Sequence, residues 1–96
     1  MIKLIKIVKS KKAKKKYDAH FKLDNGKEKV VSFGQAGALD YTIHGDNDRR
    51  ERYRKRHEKD LKTNDPMRPG YLSYYLLWNK KTLKASIADY KKRFKL

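Results

Sequence analysis

The stretch Gly70-Tyr71-Leu72-Ser73-Tyr74-Tyr75-Leu76-Leu77-Trp78-Asn79 constrains this chain more than any other. It packs Tyr, Leu and Trp onto more than one face at helical spacing, inside a chain that is 40% charged. A helix that is apolar nearly all round must be covered nearly all round. The stretch is therefore expected to be a central helix, with Pro69 in its first turn and neighbouring elements packed around it. At 96 residues there is room for one modest core and not for two.

The residues before it read as strands. Residues 2–9 are rich in Ile, Leu and Val, although their apolar positions fall on both parities. Either that strand is partly covered on both sides or its pattern is imperfect. Tyr17, Ala19, Phe21 and Leu23 alternate with polar residues, as a half-buried strand does. Asp24-Asn25-Gly26 then makes a turn whose type can be argued. A two-residue Asn-Gly loop would set Phe21 opposite Val30 and Tyr17 opposite Gly34. A three-residue loop, with Gly26 left-handed, pairs Tyr17 with Phe33 and Ala19 with Val31, so that the apolar residues share a face. The second arrangement is expected, with a third strand from about Glu28 to Gly34.

Gly34 to Ala38 reads as a hinge of small residues. Residues 39–44 are ambiguous between a short strand and an extended connector anchored by Tyr41 and Ile43. From Asp46 the pattern is helical, capped by Asp46 or Asp48, with Asp48–Arg52 and Glu51–Lys55 as supporting pairs four residues apart. Its thin apolar stripe of Tyr53, His57 and Leu61 leaves its cationic faces in solvent. After the central helix, Thr82 is a plausible cap. Leu83, Ile87, Tyr90 and Phe94 then form one amphipathic stripe. The fold class is α+β, a single domain over residues 1–96: a small N-terminal antiparallel sheet of about three strands (1–35), then a three-helix part (46–95).

Charge points to the partner. Lys and Arg number 27 against 11 Asp and Glu, a formal net charge of +16. Such an excess favours polyanions: nucleic acid first, then acidic protein surfaces. Two segments carry it. Residues 1–16 hold eight Lys and no acid, with Lys11, Lys12, Lys14, Lys15 and Lys16 in a hairpin-loop position. These would straddle phosphates as point charges, or merely solvate a loop. The second segment is Arg49, Arg50, Arg52, Arg54, Lys55 and Arg56, followed by Lys59. Its Arg forks suit phosphate or carboxylate without spelling a base code.

No catalytic motif and no cofactor site is legible. His44, Asp46, Asp48 and Glu51 could be imagined as a nuclease metal site, but a helix N-terminus accounts for those acids. The chain has no Cys, hence no disulfide or thiolate metal site. No apolar run approaches a membrane span, and the lysine-interrupted N-terminus is not a signal peptide.

The second half adds a resemblance. His44-Gly45-Asp46 with Arg49-Arg50, Tyr53 and Arg56-His57, Asn64-Asp65-Pro66, Leu76-Leu77-Trp78-Asn79, Leu83-Lys84-Ala85-Ser86-Ile87 and Arg93-Phe94 resemble a family of short basic proteins of large nucleocytoplasmic DNA viruses, a domain of unknown function. The resemblance spans roughly residues 33–94, and the N-terminal strands match only in style. It implies a viral protein and raises the expectation of a virion component, found in the host cytoplasm or viral factory during infection. It transfers no catalytic residue. The leading expectation is a non-enzymatic, sequence-tolerant nucleic-acid-binding protein of the virion, with DNA the expected partner. The alternative is a minor capsid or inner-shell protein contacting acidic neighbours, and the weaker one a metal-dependent nuclease.

Overall fold

A computed structural model describes residues 1–96. Three strands, β1 (Lys3–Lys9), β2 (Lys15–Lys22) and β3 (Glu28–Gln35), form an antiparallel sheet in sequential order. Helical segments follow: α1 (Tyr41–His44), α2 (Asn47–His57) continuing into a 3₁₀ turn (Glu58–Thr63), α3 (Pro69–Leu72) running into a π-helical turn (Ser73–Leu77), and α4 (Leu83–Phe94).

The β2–β3 register is the one that puts the apolar residues on one face: Tyr17 opposes Phe33 and Ala19 opposes Val31. Leu23 N–H donates to the Lys27 carbonyl at 2.8 Å, closing a three-residue loop with Gly26 at φ 82°. The mixed parity of the first strand has a local cause. The β1–β2 pairing slips between Leu4 and Lys6, so Ile5 is bulged out and stands 49% exposed. That bulge lets Leu4 and Ile7, three residues apart, both face the core opposite Phe21 and Ala19.

The aromatic stretch is the centre of the packing. Leu72, Leu76 and Leu77 join Leu4, Ala19, Phe21, Phe33, Tyr90 and Leu96 in one buried cluster. Tyr71 and Tyr74 are buried as well, while Tyr75 and Trp78 are half-buried. Each large apolar side chain removed from water here stabilises the fold by about 1.5–3 kcal/mol. The central helix differs from the regular one its spacing predicts. Past Leu72 it widens into a π turn, ended by Trp78 N–H donating to the Ser73 carbonyl. Thr82 caps α4 through Ala85 N–H at 3.1 Å. In α4, Leu83, Ile87 and Phe94 pack against the core alongside buried Tyr90. Leu4 N–H donates to the Leu96 carbonyl, tying the end of α4 to the edge strand.

Residues 41–44 are neither strand nor extended connector. Asp40 caps a single helical turn by accepting from Thr42 N–H. Tyr41 is buried as expected, but Ile43 is 59% exposed and anchors nothing. A one-turn helix directs its residues around an axis, so two residues apart cannot both face the core.

Candidate polyanion interface

Asp46 is the cap of α2, accepting from Asp48 and Arg49 N–H, and these bonds, Arg49's foremost, lower its carboxyl pKa. The helix then carries its arginines in two groups with different fates. On the inward edge, Arg54 reaches under the end of the central helix. Its Nη1 donates to the Trp78 carbonyl at 2.9 Å and to the Tyr74 carbonyl at 3.2 Å. Its guanidinium lies 4.0 Å from the Tyr74 ring centroid, and desolvation lowers its pKa. One turn earlier, Arg50 Nε donates to the Asn79 carbonyl at 2.8 Å, its Nη1 pairs with Glu51 at 2.6 Å, and its guanidinium covers Tyr41. The two side chains satisfy carbonyls that the end of a helix leaves without partners.

This corrects the expectation that the cationic faces of α2 are all in solvent. Arg50 and Arg54 serve the fold first. The expected Asp48–Arg52 and Glu51–Lys55 pairs do not form either: Glu51 is taken by Arg50, and Arg49 pairs with Asp46 at 3.7 Å. On the outward side Arg52, Lys55, Arg56 and Lys59 are exposed and have no acid within ion-pair distance. With Lys62 and the acid Glu58, Lys55, Arg56 and Lys59 line an open depression along α2 and the 3₁₀ turn.

The lysine loop divides in the same way. Lys11, Lys12, Lys14 and Lys15 are exposed. Lys16 instead turns inward, donating to Asp40 and to the Ala38 carbonyl, both at 2.5 Å, with only 14% of its side chain exposed. It is a structural tie between the hairpin and the hinge, not a free cation. A buried pair with matched hydrogen bonds holds geometry more than it adds stability.

α2 also docks through a row of rings that its sequence stripe foreshadows. Tyr53 lies between His57 (4.2 Å between centroids) and Trp78 (4.3 Å, 7° between planes). His57 Nδ1 faces Asp60 at 3.2 Å, and His20 Nδ1 faces Glu28 at 2.5 Å. His44, Asp46, Asp48 and Glu51 do not converge: no three His, Asp or Glu side chains stand close enough to share an ion. His44 Nδ1 accepts from Asp46 N–H, a local turn contact. No helix is long and apolar enough to cross a membrane.

Two groups that sequence reasoning passes over sit on the outer face of the sheet. Ser10 and Ser32 both donate to Asp18, at 2.7 and 2.6 Å, and these bonds, Ser32's foremost, lower its carboxyl pKa. The only sequence signal is an acid on the polar side of a strand, which does not name its partners.

A family model described as a family of unknown function, DUF5754, matches residues 5–57, more than half of the chain. The chain belongs to that family. The matched segment holds the whole sheet except its first residues, the hinge, α1 and α2, so the lysine loop and Arg49 to Arg56 fall inside it, while Lys59 lies beyond it. It overlaps the resemblance noted over 33–94 only in residues 33–57, and takes in the strands that the resemblance leaves out. Neither the curated proteins nor the solved structures give a match.

Proposed function

We propose that this is a non-enzymatic polyanion-binding protein of a large DNA virus that engages nucleic acid, DNA first, by its phosphates. One observation carries the reading. Only five of the 27 Lys and Arg side chains (Lys16, Arg49, Arg50, Arg68 and Arg93) have an acid within ion-pair distance, which leaves 22 without one. Surplus charge of this size repels itself in the compact state; a phosphate backbone neutralises it, and the counterions that backbone releases drive the binding. Arg52, Lys55, Arg56 and Lys59 form the helical part of the surface, and Lys11, Lys12, Lys14 and Lys15 the loop part. Viral origin and a place in the virion, with the host cytoplasm or viral factory as the site during infection, rest on the resemblance of the second half.

The test is titration of the chain with duplex DNA at several salt concentrations. Log affinity should fall linearly with log salt, by about 0.9 per phosphate neutralised. A flat line refutes the mechanism.

A second reading, a minor capsid or inner-shell protein, is favoured by the outer face of the sheet. Val8 and Val30 stand 38% and 50% exposed there, beside bulged Ile5. Digesting the genome of disrupted particles separates the two: a shell protein stays in fixed copies, and a genome-bound one is released.

A further inference from the structure

The two cationic segments, far apart in sequence, meet at one cavity. Lys16 reaches it from the lysine loop, Tyr53 and His57 from α2, Leu77 and Trp78 from the central helix, and Gln35 and Leu39 from the end of β3 and the hinge. Its volume is about 260 Å³. Pockets for drug-sized ligands and cofactors run to about 300–1,000 Å³, so this one suits a single ring system.

Its chemistry is mixed and close to neutral. The one ammonium inside, that of Lys16, is cancelled by Asp40 at 2.5 Å, so the interior offers no surplus charge to hold a phosphate. The same ammonium has three protons and spends two of them on Asp40 and the Ala38 carbonyl. His57 turns Nδ1 to Asp60 and keeps Nε2 free, and Gln35 is exposed with a donor and an acceptor on one amide. Leu77 is an apolar wall, and Leu39, which lines the cavity while 56% exposed, is an uncovered apolar residue at its mouth. Beside the mouth runs the lysine loop: Lys15 opposes Gln35 in the β2–β3 register, and Ala36 N–H donates to the Lys14 carbonyl.

We propose that this cavity takes one unpaired nucleobase of a single-stranded nucleic acid, while the adjoining phosphates run over Lys14 and Lys15. The interior matches a flat, uncharged, hydrogen-bonding ring with an apolar face; the exterior matches the backbone attached to it. The proposal rests on the polyanion-binding reading and adds a preference for strands whose bases are free.

The test compares a single-stranded deoxyoligonucleotide with an abasic oligomer of the same length and phosphate count. Binding to the full chain is followed by the fluorescence of Trp78, the one tryptophan, which lines the cavity. The base-carrying strand should bind about tenfold more tightly, about 1.4 kcal/mol, and change the emission, which the abasic strand should not. Gln35→Ala with Leu39→Ser, both at exposed positions, should abolish the difference and leave abasic binding unchanged. Equal affinity of the two strands for the unaltered protein would overturn the base site and leave the phosphate reading standing. Failure of both strands to bind would overturn both.

Discussion

Arg54→Ala removes one side chain whose role separates fold from binding. The guanidinium gives hydrogen bonds to two carbonyls at the end of the central helix and covers the Tyr74 ring at 4.0 Å. Hydrogen bonds from a charged donor contribute about 1.5–3 kcal/mol. A cation over an aromatic ring adds about 0.5–1 kcal/mol where it is still partly wet. Both bonds share one nitrogen and the site is only half-buried, so water can partly replace them. The loss should therefore be about 2–3 kcal/mol, not the sum for three separate contacts. For a domain of this length each kcal/mol moves the melting temperature by about 4–8 °C, which puts the expected drop on the order of 10–20 °C. The control is Arg52→Ala, which removes the same charge at an exposed position with no hydrogen-bond or ion-pair partner; it should stay within about 0.5 kcal/mol of the parent. Urea unfolding followed by circular dichroism and Trp78 emission measures both. If the two variants unfold at the same denaturant concentration, the assignment of Arg54 to the fold is wrong.

Arg52, Lys55 and Arg56 replaced together by Ala should leave stability nearly unchanged and reduce the log–log salt slope of DNA binding by about three times 0.9; an unchanged slope would place the phosphates elsewhere. Gly34→Ala should cost clearly more than Gly37→Ala by chemical denaturation. Both glycines have left-handed φ (77° and 80°), but only at Gly34 would a Cβ meet the Leu77 side chain at 2.9 Å and Lys16 Cβ at 3.0 Å. The shared backbone penalty is about 1–2 kcal/mol, and equal losses would mean the contact relaxes freely. Asp18 has a folded-state pKa below its ordinary 3.8, so the stability it contributes is present above that pH and is lost as the pH falls through the folded value. Asp18→Asn should therefore flatten the acid limb of a plot of unfolding midpoint against pH, and an unaltered limb would show that the two serines do not favour the ionised form.

The match between sequence and structure is best where the determinant is local. The β2–β3 register follows from alternation and from Gly26, since any one-residue slip would set Phe21 and Phe33 on opposite faces of the sheet. The Asp46 and Thr82 caps lie within three residues of the N–H groups they receive. The fates of the cations were not legible in the same way. Lys15 and Lys16 are identical neighbours in the chain, yet one is exposed and the other pairs with Asp40, 24 residues on. Arg52 and Arg54 differ as sharply, because the 100° step of a helix points one outward and the other at carbonyls 20 and 24 residues away.

Taken alone, the sequence determined the class of fold, the buried aromatic centre, the hairpin register and the two segments where positive charge gathers. Each of these depends on neighbours within a few positions along the chain. Only the tertiary structure decided which charges are spent inside the molecule, where the first strand bulges, where the central helix widens, and that both cationic segments border one cavity. Those outcomes depend on groups brought together by packing, and a charged side chain gives no sign in its own sequence context of the partner that folding will bring to it.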